Sequence, residues 1–213
     1  MNFLHIRSLI LCYLLVLSVS SGNKMAEGKT ALVLIADGSE EMEAVISIDV
    51  LRRAGLHVTV GLVSGTAGIA TCGKGVKLAG DVSFAEAESL GPYDVVVVPG
   101  GMGGSNIMAA DSGVKKLLSE QYASGRKVAA ICAAPALVLT AAGVGEGKRV
   151  TCYPSMESHF GDKYTYVAGE KVVVDGNLIT SQGPGTAFDF ALKVAEEIVG
   201  AEKSKAVAKA MLL

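Results

Sequence analysis

Residues 30–55 read TALVLIADGSEEMEAVISIDVLRRAG, an uncharged run that turns at Asp37-Gly38 into a helical pattern. Thr30–Ala36 has the continuous apolar character of a strand buried on both faces. Ser39-Glu40-Glu41 opens a helix running to about Ala54, with acids in the first turn, where the helix dipole favours them, and Gly55 as its stop. That helix is apolar on two sides, Met42, Val45, Ile46 and Val50 on one and Ala44, Ile48 and Leu51 on the other. One side can cover a sheet; the second is expected to meet another subunit.

The same alternation continues outward. Apolar strands are expected at His57–Val63, Asp94–Val98 and Lys127–Ile131, with shorter ones near Ile69–Thr71, Val76–Ala79, Lys148–Thr151, Val172–Val174 and Leu178–Thr180. Helical patterns fall at Phe84–Ser89, Ser112–Ser124, Pro135–Ala142, Ala187–Val199 and Lys203–Leu212. Strands alternating with helices imply right-handed βαβ units, hence an α/β three-layer sandwich around a mostly parallel sheet.

The chain has 213 residues, 50% of them hydrophobic and 19% charged, which excludes disorder and suits one core. Residues 25–213 form a single domain with no internal repeat or linker. Net charge is −2, and the segment before Met25 holds Arg7 and Lys24 without an acid, so the body is more acidic still. No Lys/Arg cluster appears, which argues against nucleic acid as the main partner. Residues 1–24 read as a leader: Arg7, the apolar run Ser8–Ser20, then the small residues Ser21 and Gly22. The run has the plan of a signal peptide and falls short of the ~20 apolar residues of a membrane span. Met25 is an alternative start, because a strand follows it closely.

Of four cysteines, Cys12 lies in the leader, and Cys72, Cys132 and Cys152 share no spacing. That pattern suits neither a disulfide framework nor a zinc site, so no metal is expected. In an open parallel sheet the reactive cleft lies beyond the carboxyl ends of the strands. Asp37–Glu43, Pro99–Asn106 and Ile131–Pro135 belong there. In AAICAAP a strand runs into Cys132 and a helix starts almost at once, with Ala133 and Ala134 small enough for a tight turn. Such a bend resembles a nucleophile elbow and aims the thiol at free N–H groups. Sites of this kind can lower a cysteine pKa to roughly 3.5–7.5. Glu43, in the first turn of a helix on the same cleft edge, is its expected partner, whereas Glu40 and Glu41 read as helix caps. Gly100-Gly101 offers unobstructed N–H groups for an oxyanion. The run Gly100–Gly104 lacks the third glycine of a dinucleotide fingerprint, since Asn106 stands there, and there is no phosphate-binding Walker sequence. No cofactor is expected.

Taken together, ALVLIADGSEEMEAV, DVLRRAG, GPYDVVVVPGG, AAICAAP, YPSM and DGNLITSQGPGT, in this order, resemble the ThiJ/PfpI superfamily and, within it, the parkinsonism-associated deglycase (DJ-one) proteins. The resemblance spans about Thr30 to Leu213. It implies a flavodoxin-like fold, akin to class I glutamine amidotransferases, and a homodimer in the cytoplasm and mitochondrion; the leader leaves a secretory route open. It implies an oxidation-sensitive Cys132 held by Glu43, oxyanion N–H groups from Gly101 and Ala133, a pocket lined by Gly183-Pro184-Gly185, and Arg53 at the dimer interface near that pocket. The activities implied are conversion of methylglyoxal to lactate, deglycation of early glycated amines and thiols, and a redox-regulated protective or chaperone role.

The chain departs from that pattern in three places, and a fourth position separates it from peptidase relatives. Tyr153 stands where a His often precedes the proline, and neither His57 nor His159 aligns there. Gln182 replaces a common Arg, and Lys74 lies near where an Arg is usual, which weakens the expectation of anion affinity. Ala133 replaces the His that follows the nucleophile in peptidase relatives, so a protease is disfavoured. Two readings stand: an enzyme using Cys132 and Glu43 on reactive aldehydes, and a non-enzymatic sensor switched by oxidation of Cys132 to sulfinate.

Overall fold

The computed structural model describes residues 28–213; the expected leader lies outside them. Strands β1 (Thr30–Ile35), β2 (His57–Leu62), β3 (Ile69–Thr71), β4 (Lys77–Ala79), β5 (Val82–Ser83), β6 (Val95–Val98), β7 (Lys127–Ile131), β8 (Arg149–Val150), β9 (Thr165–Tyr166), β10 (Val172–Asp175) and β11 (Leu178–Ser181) occur in chain order. Seven form the central sheet, ordered β10-β11-β7-β6-β1-β2-β5. Every pairing in it is parallel except β10 with β11. The middle strands carry valine, isoleucine, leucine and alanine with no accessible surface, as a sheet covered on both faces requires. This is the mostly parallel, flavodoxin-like architecture expected from the sequence.

The helices are α1 (Glu41–Arg53), α2 (Phe84–Leu90), α3 (Met102–Ala110), α4 (Ser112–Ala123), a turn at Pro135–Leu139 running into α5 (Thr140–Ala142), α6 (Ala187–Val199) and α7 (Ala201–Ala210). Among the described residues no helix is long and apolar enough to cross a membrane.

Two expectations change here. The second apolar side of α1 does not await a subunit. Ala44 and Leu51 on that side are fully buried within the chain, as is Val50 of the first side, and α1 packs along α6. Met42 and Val45, assigned by periodicity to one apolar side, are the residues left exposed. Secondly, residues 102–106, for which no helical pattern was expected, form the first turns of α3. Gly103 and Gly104 are poor helix formers, yet their lack of side chains lets α3 seat on the β1–α1 turn. A Cβ on Gly104 would lie 2.5 Å from Ser39 Oγ and 2.8 Å from Ser39 Cα. Tertiary contact overrides local propensity at that position.

Candidate active site

The strand order places β6 between β1 and β7, so the ends of these three strands converge at the switch point of the sheet. The turn after β1 is closed by reciprocal bonds: Ser39 N–H donates to Ala36 O, and Ala36 N–H to Ser39 Oγ. Glu40 then caps α1 by accepting from Glu43 N–H at 2.8 Å. Glu43 therefore stands in the first turn of α1, fully buried, facing the end of β6.

Cys132 follows β7 directly, with φ of +65°, a left-handed conformation costly for any residue with a Cβ. Its backbone is pinned on both sides. Its N–H donates to Ser181 O at 3.0 Å, and its carbonyl accepts from Tyr153 N–H at 2.8 Å. The bend turns the thiol toward the N–H groups of Gly101 and Ala133, which favour its ionised form.

Gly100 sits between thiol and carboxyl and allows them to meet. A Cβ there would lie 2.5 Å from Cys132 Cβ and 2.8 Å from Glu43 Oε2. Its N–H donates to Glu43 Oε2 at 2.7 Å, so this amide is committed to the carboxylate and drops out of the oxyanion set expected from the sequence. Gly101 and Ala133 remain. Glu43 Oε1 is buried without a hydrogen-bond partner. Carboxyl and thiol thus lie close enough to perturb each other's ionisation without a complete bond between Oε1 and sulfur.

Burial raises the Glu43 pKa from 4.5 to about 7, against the lowering effect of the Gly100 N–H. Burial and the neighbouring Glu43 charge push the Cys132 thiol up to about 12, against the two amides that favour thiolate. The low thiol pKa expected from the bend alone is corrected accordingly: desolvation and a buried carboxylate outweigh two N–H donors. Protonating Glu43 removes its charge from beside the sulfur. Cys72 and Cys152 are also buried and raised, to about 11 and about 12, beside acids and without such donors.

Cys132 opens onto a cleft of about 710 Å³, a size suited to a small molecule. Its walls include Gly101, Met102, Lys74, Tyr153 and His159. Glu41 does more than cap its helix: its carboxylate accepts from Lys74 N–H at 2.9 Å and ties the Gly73-Lys74 loop to the rim. One residue expected at the pocket lies elsewhere. Pro184 opens a short turn beyond the cleft walls, with Gly183 against the Tyr153 ring. Arg53 pairs with Asp49 at 2.7 Å and borders a separate hollow beside α7.

Sequence reasoning set His159 aside, yet the fold brings it to the cleft. Residues 154–160 form a 3-10 helix. In that helix side chains three apart eclipse, so Tyr153, Met156 and His159 share one side and all three face the cleft. Their three-residue spacing was the available signal. Among the described residues no group of His, Cys, Asp and Glu is arranged to hold a metal ion.

Comparison with known proteins agrees with this fold. Residues 29–197 match the family model described as the DJ-1/PfpI family. The chain is 51% identical over 185 residues to protein dj-1beta of Drosophila melanogaster, covering 87% of this chain and 97% of that one. It is 36% identical over 194 residues to the glutathione-independent glyoxalase DJR-1.2 of Caenorhabditis elegans, covering 89% and 99%. The crystal structure of Drosophila melanogaster DJ-1beta superposes with a TM-score of 0.84 at 50% identity, covering 87% and 98%.

Proposed function

Because the chain belongs to the DJ-1/PfpI family, we propose that it is a cofactor-free glyoxalase and deglycase. Its substrates would be methylglyoxal and early glycated amines and thiols, with Cys132 as nucleophile and Glu43 as proton carrier. A glyoxalase-named relative supports the aldehyde chemistry. The observation that carries the reading is the buried Glu43 beside Cys132, under the Gly101 and Ala133 amides and open to the cleft.

A carboxyl with a pKa of about 7 is matched to proton transfer at neutrality. Ionised Glu43 takes the thiol proton as sulfur adds to the aldehyde carbon C1, and the amides of Gly101 and Ala133 steady the oxyanion at O1. Glu43 returns that proton to O1, giving the hemithioacetal. It then removes the C1 proton and delivers it to C2, while the O1 proton passes to O2. The product is a lactoyl thioester on Cys132, which water cleaves to lactate and free thiol. With a glycated amine or thiol, collapse of the corresponding adduct releases the unmodified group.

A redox role rests on the same amides. Two peroxide equivalents convert the sulfur to sulfinate with release of two waters, and protonated Glu43 can donate to the new oxyanion. The chain would thereby act as a sensor or chaperone that oxidation switches. One experiment addresses both roles. Cys132→Ser should abolish lactate formation from methylglyoxal and, by intact mass after mild peroxide, the gain of two oxygens. Full lactate production by that variant overturns the enzyme; wild-type oxygen uptake at another cysteine first overturns the sensor.

We also propose that two copies pair through the outward side of α1, where Met42 and Val45 are exposed. Residence in cytoplasm and mitochondrion is supported by the resemblance alone, with the apolar segment before Met25 as a secretory alternative. The amino-terminal sequence of protein recovered from cells distinguishes them, since removal of residues 1–24 through a secretory route excludes the first.

A further inference from the structure

We propose that His159 is the general base that releases the product, taking the proton from the water that hydrolyses the Cys132 thioester. The inference rests on the glyoxalase reading above and names a group which that reading lacks. Glu43 is buried behind Gly100 and spends its proton on the steps at C1 and C2. Water reaching a thioester on Cys132 comes from the open side of the cleft, and a base for it must stand on that side.

His159 stands there. It is exposed, lines the same cleft as Cys132 and Ala133, and is fixed by the 3-10 helix of residues 154–160. That helix is anchored by buried Met156 and Phe160, the latter packed on Tyr164 with centroids 5.3 Å apart. His159 Nδ1 lies 3.2 Å from Met156 O. A carbonyl can only accept, so Nδ1 carries the hydrogen and Nε2 holds the lone pair of the neutral ring. Nε2 makes no hydrogen bond among the described residues and is open to water in the cleft. His57, the other described histidine, begins β2 at the opposite end of the parallel sheet.

The charged and titratable groups near His159 are Glu157 on its own helix and Cys132, Tyr153, Glu40, Glu41 and Lys74 on the cleft walls, while Tyr166 on β9 meets that helix through Phe160. Glu40 and Glu41 are engaged with backbone N–H groups. Neutral imidazole offers a ring lone pair that can take a proton from water, which an ammonium group lacks.

The step balances. Nε2 accepts a proton from water as its oxygen bonds to the thioester carbon. The intermediate collapses with cleavage of the C–S bond, and the electron pair goes to sulfur. The proton on Nε2 returns to the thiol, and the lactic acid formed loses its own proton to solvent.

The test is single- and multiple-turnover kinetics with methylglyoxal on wild type, His159→Gln, His159→Ala and Cys132→Ser. Removing the base should lower kcat by roughly 10²-fold with little change in KM. Cys132 should then accumulate an adduct that hydroxylamine releases as lactohydroxamate, as a thioester does and a hemithioacetal does not. Free imidazole should restore turnover to His159→Ala. Wild-type kcat in His159→Gln, or loss of turnover without a trapped thioester, overturns the assignment of His159. An inactive wild type, or an active Cys132→Ser, instead overturns the glyoxalase reading and this inference with it.

Discussion

Glu43 spends its desolvation on being protonated. A carboxyl whose folded pKa is about 7 against an ordinary 4.5 binds protons better in the native chain than in the unfolded one. Its stabilising contribution is therefore complete below about 4.5 and is lost as pH rises through about 7, a swing of about 3 kcal/mol. Glu43→Gln, neutral throughout, should flatten that part of the curve. Urea midpoints should show wild type losing stability relative to the variant between about pH 5 and about pH 8. Parallel profiles would mean that Glu43 is ionised at rest. Thiol and carboxyl share one buried space, so alkylation of Cys132 should carry an inflection near pH 7 that the same variant removes.

Among the elements, three glycine-containing turns meet at the cleft: the turn after β1, the end of β6 and the start of α3. Gly101 has φ of +81°, and a Cβ there would fall 2.5 Å from Glu40 N, against backbone that cannot yield. Gly101→Ala combines strain in a left-handed conformation with a clash between two structural layers. We expect it to cost at least about 2–3 kcal/mol by urea unfolding. A loss under 1 kcal/mol would show that α3 can shift away from α1. These junctions were legible in the sequence as turn glycines, whereas their mutual packing was not. The GMGGSN run reads as loop on its own and becomes helix where Gly38 and Ser39 receive it.

For the whole molecule, α1 separates two roles that periodicity could not. Its buried side is satisfied by α6 and the sheet, and Met42 and Val45 face out. Val45→Asp should leave the fold within about 0.5 kcal/mol of wild type, as exposed substitutions do, while moving a dimer toward monomer in sedimentation. An undisturbed dimer would place the interface elsewhere. Arg53, expected beside the pocket, does not reach it within one chain.

Apart from α3, the order of the main strands and helices was written in the sequence, because burial on both faces forces continuous apolar runs and Glu40, Ser83 and Asp111 cap the starts of α1, α2 and α4. The bend at Cys132 was legible too, from a strand and a proline-led helix separated by two alanines. What remained for tertiary structure were properties that depend on neighbours distant in the chain. The acidity of Cys132 depends on a buried carboxylate contributed from another strand–helix unit. The Gly100 amide is held by that carboxylate. Dielectric environment and side-chain direction arise only when separate segments close around one another, so no local pattern encodes them.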